Sequence, residues 1–422
     1  MKKIIGLLLA ATMIVGCSPS ATVATESTSE VMSQAVNENG QGKNETFENQ
    51  NYNKYVELND IKRDVQTISN KYKGVFDKYV QYLAPNGKPI NILAQDKVSD
   101  EQLLKAYNIL AFYLTNHKEY DMTKAANKMA DEGAVLMMPN GADGDGELKE
   151  SVFSGQPLYQ MEVPVTGDAW YINNNYEHRD ASYEEILHMV HDYGIGTSSQ
   201  AGALPELQQT IEKAMKNALP TKKSDWGKIG LWGLESKEWL VELSQEGSLE
   251  QEYIVSVVDS YYGLWEAFKE NDGGMWGIYT AKNRAAIKAK DPVGYAALES
   301  FLPSNFTYMD RIAPAFDGTF SLTYMDALSY THKSQYIDNV RLTGNLNSGI
   351  LGNERDNILM GNAGNNELDG GAGIDTVQFT GTSEEYEIAN GIVKDTKGRD
   401  GIDTLKNIEV LRFTDKDIQI GQ

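Results

Sequence analysis

Three glycines, Gly352, Gly361 and Gly370, stand nine residues apart, and each opens a similar string: GNERDNILM, GNAGNNELD and GGAGIDTVQ. A degenerate copy, TGNLNSGIL, precedes them from Thr343. A fixed short period constrains a chain severely, because no single unit can bury its apolar side chain unless it stacks on its neighbour. Within each period six residues read as a turn, where glycine takes backbone angles that a Cβ forbids. The remaining three read as a short strand whose eighth-position residue, Leu359, Leu368 or Val377, points into the coil. Turn carbonyls and the sixth-position side chains Asn357, Asn366 and Asp375 supply the hard oxygen donors that Ca²⁺ prefers. Only one of these three is a carboxylate, although Asp356 and Asp369 are close by, so the pattern predicts one or two sites of modest affinity. A calcium-free Gly/Asn solenoid or a plain linker is the alternative.

The third string fits the pattern GGxGxDxUx at every position, with U a large apolar residue. The run resembles the RTX, or haemolysin-type, repeats that wind into a parallel β-roll. The resemblance implies Ca²⁺ held around Gly352, Asn357, Gly361, Asn366, Gly370, Ala372 and Asp375. Beyond it, Phe379-Thr380-Gly381, Tyr386, Asp400-Gly401-Ile402-Asp403-Thr404-Leu405 and Asn407 to Phe413 look like the strand-rich cap of serralysin-type exoproteins. Those relatives usually leave the cell by a C-terminal signal, and the start of this chain departs from that route.

Lys2 and Lys3 precede an apolar run from Ile4 to Gly16, too short to span a hydrocarbon layer of about 30 Å, and it reads as a signal-peptide core. Its end, Ile14-Val15-Gly16-Cys17, resembles a bacterial lipobox, which implies lipidation of Cys17, the only cysteine. With Ser18 following, the resemblance implies the outer membrane or the cell surface, the lipid anchor being the membrane partner. Residues 17–50 carry few large apolar side chains and read as a disordered tether.

A single cysteine excludes a disulfide framework and a cysteine-rich zinc finger. The charge balance, 38 Lys+Arg against 60 Asp+Glu, argues against nucleic-acid binding, which depends on basic side chains. No phosphate-cradling glycine loop appears, so a nucleotide is not expected either. The sequence names no protein or peptide partner. Residues 51–340 read as a mainly helical domain, with apolar spacings of three and four over Val56–Tyr82, Asp100–Asn116, Ser182–Tyr193, Leu204–Leu219, Leu249–Lys269 and Thr280–Phe301. Leu158–Val165 and Ala169–Asn173 flank Thr166-Gly167-Asp168 and read as a β-hairpin. The expected architecture is α+β and multidomain: this helical part with its hairpin, the roll over 343–378 and the cap over 379–422.

Two of the five histidines lie in Tyr183-Glu184-Glu185-Ile186-Leu187-His188-Met189-Val190-His191. On a helix, Glu184, His188 and His191 share one face, and Glu185 lies one residue round from it. The segment is similar to the zincin helix His-Glu-x-x-His with its first histidine replaced by Glu184. In the glutamate-ligand branch of that family a later helix gives the third ligand. The resemblance therefore implies Zn²⁺ held by Glu184, His188 and Glu252, with Glu185 as general base and Tyr253, Tyr261 or Tyr262 near the oxyanion. His191 or His178 could substitute as ligands. Two carboxylates and one imidazole would leave zinc a weaker Lewis acid than the usual two-histidine set. The residues also support a plainer reading: Ser182-x-x-Glu185 as a capping box and Glu184–His188 as an i,i+4 pair.

Asp143-Gly144-Asp145-Gly146-Glu147 alternates acids as calcium loops do but fails the EF-hand register, and reads as a solvated loop. Two functions follow. One is an atypical metallohydrolase or peptidase on a calcium-binding surface lipoprotein. The other is a non-enzymatic calcium-dependent surface or adhesion module.

Overall fold

The structure, a computed structural model, describes residues 56–143 and 154–420. The expected signal segment, Cys17, the expected tether, and residues 144–153, which include most of the acidic stretch, lie outside the described residues. Val56–Gln422 forms one compact unit in which helices and strands are mixed.

The segment expected as a first helix is instead three single turns, Leu58–Asp60, Val65–Thr67 and Asn70–Tyr72, leading into strand β1 (Lys78–Leu83). Its helical spacing misleads because Val65, Tyr72 and Phe76 pack from separate turns onto Tyr79, Leu93 and Met137. Gly74, at φ +70°, sits between the last turn and the strand. β1 pairs antiparallel with β2 (Pro89–Ala94) through a turn at Gly87, and β3 (Val135–Met138) and β4 (Gln156–Pro157) continue the sheet in parallel. The crossover from β2 to β3 carries helices α1 (Asp100–Tyr113) and α2 (Met122–Asp131). Ser99 and Gln102 close α1 as a capping box at 3.1 and 2.8 Å. α1 is buried almost all round because it lies between β1 and elements from much later in the chain.

The expected hairpin over Leu158–Asn173 does not form. Asp168 accepts from the Tyr171 amide at 2.9 Å and so starts a short helix, α3 (Ala169–Asn173), after a turn at Gln160–Glu162. Helix α4 (Ser182–Val190) runs into a π turn, His191–Ile195, and the stop is Gly196 at φ +104°. Gly194 has a different task, since a Cβ there would stand 3.1 Å from Ala125 and Met129 of α2. α5 (Pro205–Ala218) lies within its predicted span, and α6 (Lys237–Glu246) precedes α7 (Leu249–Tyr261). α7 is shorter than its spacing suggested. Gly263, at φ +73°, carries the backbone past His332, whose carbonyl would be 2.1 Å from a Cβ. The long helix expected over Thr280–Phe301 is two, α8 (Arg284–Lys290) and α9 (Pro292–Glu299), because Pro292 cannot continue α8 and Asp291 caps α9 through the Gly294 amide at 3.0 Å.

From Phe306 onward the chain alternates between two sheets. β5 (Phe306–Ile312), β7 (Ile337–Leu342), β9 (Ile358–Met360), β11 (Thr376–Gln378) and β15 (Val410–Arg412) pair in parallel in one. β6 (Thr319–Ser321), β8 (Gly349–Leu351), β10 (Glu367–Asp369) and β14 (Ile402–Lys406) do so in the other. The short helix α10 (Thr331–Ser334) lies between β6 and β7. Leu359, Leu368 and Val377 are fully buried between the sheets. An antiparallel pair, β12 (Tyr386–Ala389) and β13 (Ile392–Asp395), extends one sheet, and β16 (Asp417–Gln419) edges the other. The sheets thus begin at Phe306, well before the nine-residue period starts. Asn108 of α1 donates to the Met309 carbonyl at 3.0 Å, and Arg311 pairs with Glu101 at 2.5 Å, which ties the first rungs to the helical part.

Candidate metal centre

α4 and α7 pack against each other, and that packing brings together side chains 64 residues apart in sequence. One oxygen of Glu184, one ring nitrogen of His188 and one oxygen of Glu252 lie within 4.8 Å of each other. His188 Nε2 is 3.6 Å from Glu252 Oε1 and has no hydrogen-bond partner although it is buried. Ligands about 2.1 Å from a tetrahedral ion stand about 3.4 Å apart, so this edge already has the length a zinc site needs. The set fits a metal ion in donor type, spacing and the unmet valence of Nε2.

Glu185 approaches the same imidazole from its other side, Oε2 to Nδ1, at 3.7 Å, and accepts a hydrogen bond from Gln156 Nε2 on β4 at 2.6 Å. It is no capping residue. Asp180 takes the Ser182 amide at 3.2 Å and the Ser182 hydroxyl, so the expected Ser182–Glu185 box is absent. A carboxylate at Nδ1 turns Nε2 toward Glu252, which is how metal-binding histidines are commonly oriented. Gln156 was not legible in the sequence, because the two-residue strand that presents it has no period.

Arg179, in the irregular segment before α4, carries no signal in the sequence yet joins the cluster. Its Nη2 is ion-paired with Glu184 Oε2, and its Nη1 is buried without a partner. The guanidinium opposes the charge of Glu184, Glu252 and Glu185 and stays protonated. Burial alone would discharge His188, but Glu252, with Glu185 and Glu184, outweighs it and lifts the imidazole to about 10. Burial, only partly opposed by the Arg179 guanidinium, pushes the Glu184 carboxyl well up, so the metal-free cluster holds two cations, Arg179 and protonated His188, among carboxyls of which Glu184 is the readiest to keep its proton. An ion joining this set would displace the His188 proton.

Other expected members are elsewhere. His191 is fully buried one turn on, outside the cluster, with both ring nitrogens unpartnered; burial pushes its pKa down to about 3, so the ring is neutral. His178 is exposed and also outside it. Tyr253 is no oxyanion donor, since its hydroxyl is committed to Asp291 Oδ2 at 2.6 Å. Tyr262 donates to the Pro303 carbonyl at 2.6 Å, and Tyr261 to Glu299. Tyr253 follows Glu252 directly on α7 and so turns into the helix packing instead of toward α4.

In the coil, the glycines that open each repeat answer a steric need. A Cβ on Gly352 would stand 2.0 Å from the Gly370 carbonyl, and one on Gly370 would stand 2.3 Å from that of Asn407. A Cβ on Gly361 would stand 2.6 Å from Asn366 Oδ1, and the Ala372 amide donates to the Asn353 carbonyl at 2.9 Å. The sixth-position side chains divide. Asn357 and Asn366, expected as ligands, have their amide oxygens taken by the backbone amides of Asn353 and Asn362 at 3.0 and 2.8 Å. Their nitrogens donate to main-chain carbonyls.

Asp375 is different: Oδ1 accepts from the Asn357 amide at 2.8 Å, while Oδ2 is buried with no partner. Burial, with Glu409, Asp356 and Asp369 nearby, pushes its pKa up to about 7. Asp403 has the same relation to the Asn366 amide, at 2.9 Å, and is pushed up to about 8 by burial and Asp400. Asp403 belongs to a further repeat, GRDGIDTLK from Gly398, which matches GGAGIDTVQ in glycine, acid and apolar spacing. The inserted β12–β13 pair had hidden the match by breaking the nine-residue interval. In comparisons of the chain with known proteins, neither the family models nor the curated proteins gave a match.

Proposed function

We propose that this chain is an envelope-anchored, metal-dependent hydrolase, with the metal held by Glu184, His188 and Glu252 between α4 and α7. The supporting observation is the convergence of these three donors around an unpartnered His188 Nε2. A Zn²⁺ ion there would supply a polarised substrate carbonyl and a water that ionises near neutral pH. The protein's own residues do the positioning. Gln156 fixes Glu185, and Glu185 fixes the His188 ring. Arg179 neutralises Glu184, which keeps a third carboxylate tolerable in a buried site. By the zincin resemblance Glu185 also takes the proton from the attacking water, and a peptide bond is the substrate class.

The test is peptidase activity of the zinc-loaded protein against a mixed peptide library. Activity abolished by chelation, by Glu184→Gln and by Glu252→Gln supports the reading, and Glu185→Gln then separates two roles for that residue. Lost turnover with zinc retained marks a base, whereas lost zinc marks an orienting group. Turnover unchanged in all three variants refutes the assignment.

A second reading, a calcium-dependent surface or adhesion module, is favoured by the unpartnered Oδ2 of Asp375. The two coexist readily, because the coil is a separate site from the helical cluster. By the lipobox resemblance Cys17 would carry the lipid that tethers both to the cell surface.

A further inference from the structure

The sixth-position residues of the coil divide by chemistry, and the division follows the second position of the same turn. Where the sixth residue is Asn, the second is also Asn: Asn353 with Asn357, and Asn362 with Asn366. Each pair forms a closed bracket. The Asn353 amide donates to Asn357 Oδ1 at 3.0 Å, and Asn357 Nδ2 returns a bond to Asn353 Oδ1 at 3.1 Å. The Asn362 amide donates to Asn366 Oδ1 at 2.8 Å, and Asn366 Nδ2 returns one to Asn362 Oδ1 at 3.1 Å. Each Nδ2 also reaches across to the preceding rung of its own sheet. Asn357 donates to the Asp338 carbonyl at 2.9 Å, and Asn366 to the Ser348 carbonyl at 2.9 Å. One carboxamide nitrogen thus gathers a turn oxygen and a neighbouring-rung carbonyl, the task a bound cation performs in an all-oxygen turn.

Where the sixth residue is Asp, this bracket cannot exist. The second positions there are Gly371 and Arg399, and a carboxylate has no hydrogen to return. Asp375 keeps one accepting bond, from the Asn357 amide, and its other oxygen is buried without a partner. A buried carboxylate oxygen in that state is costly unless a proton or a cation meets it. Asp403 holds the same position on the opposite sheet, beneath Asn366.

We propose that the carboxamides of Asn357 and Asn366 replace ions in the early turns, and that divalent-cation binding is confined to the later turns, at Asp375 and Asp403. The early rungs, joined to the helical part through β5 to β7, then form without calcium and serve as a template. The ion-dependent rungs stack on them. This inference rests on the calcium reading for its second half only, and is independent of the cluster on α4 and α7.

The experiment counts bound Ca²⁺ by equilibrium dialysis on the whole protein and follows chelation by circular dichroism. The wild type is expected to bind two ions. Asp403→Asn should lower the count by one without unfolding the coil. Asn366→Asp and Asn357→Asp should each raise it by one and make rungs that were insensitive to chelator lose structure in its presence. Asn366→Ala should weaken the coil equally with and without calcium. Stoichiometry unmoved by all the Asn↔Asp exchanges overturns the division of labour while leaving calcium binding itself standing. No calcium bound by the wild type overturns the second half of the proposal together with the calcium reading on which it rests.

Discussion

At the scale of single residues, the candidate centre is a problem in charge. Glu184 is ion-paired with Arg179 inside the protein, so an ion bound as proposed would share that carboxyl with a guanidinium. Removing one partner of a buried pair commonly costs roughly 3–5 kcal/mol. Arg179→Gln should therefore destabilise the metal-free protein and enlarge the thermal shift produced by zinc; an unchanged zinc-induced shift would show that the guanidinium does not compete. A second residue-level effect concerns pH. Asp395 is buried, which opposes its charge, but the Arg399 side chain and the amides of Lys397, Arg399 and Asp400 outweigh burial and hold its pKa down at about 2. An acid with a depressed folded pKa stabilises above its unfolded value, near 4, and loses that contribution as pH falls through 2. The shift corresponds to about 2 kcal/mol. In urea titrations Asp395→Asn should cost that much at pH 7 and almost nothing at pH 2. Equal costs at both would show that the carboxylate charge is not what matters.

At the scale of elements, helical spacing was legible where one face is apolar, as in α5, and misleading where buried polar side chains decide the ends. Asp291 is the clearest instance. It ends α8, caps α9 and accepts the hydroxyls of Tyr253 and Tyr279 at 2.6 and 3.0 Å while fully buried. No local pattern announces that convergence, which also removed Tyr253 from the candidate site. Asp291→Ala should cost roughly 3 kcal/mol, since it leaves a helix uncapped and two buried hydroxyls unsatisfied. A loss under about 1 kcal/mol in chemical denaturation would contradict this account of the break. Strands β2 and β3 escaped the helical spacing because they are short and mostly apolar, with Asn91 the one polar residue in them. Helix periodicity puts Glu184 and His188 on one face, and Glu252 entered only through the zincin resemblance. Arg179 and Gln156 were not legible, because an irregular segment and a two-residue strand carry them.

At the scale of the whole molecule, the coil continues the earlier part of the chain. β5, β6 and β7 arise before the repeat yet form its first rungs, and Arg341 reaches back to Glu57 at 2.5 Å. A chain ending at Leu342 would leave β6 and β7 as bare edges with unpaired backbone groups. Such a truncation should aggregate or lose its cooperative transition, whereas a soluble monomer with unchanged near-ultraviolet circular dichroism would show the two parts to be independent. As proposed, the helical cluster would offer nitrogen with carboxylate and the coil turns carboxylate with turn carbonyls, so the two would select different ions. Their occupancies can therefore be read separately in one sample. The most direct measurement is elemental analysis of the full chain after equilibration with zinc and calcium together, beside the same analysis of His188→Ala. The account predicts one tightly held zinc in the wild type, none in the variant, and the same calcium content in both. Zinc absent from the wild type, or retained in full by His188→Ala, would contradict it.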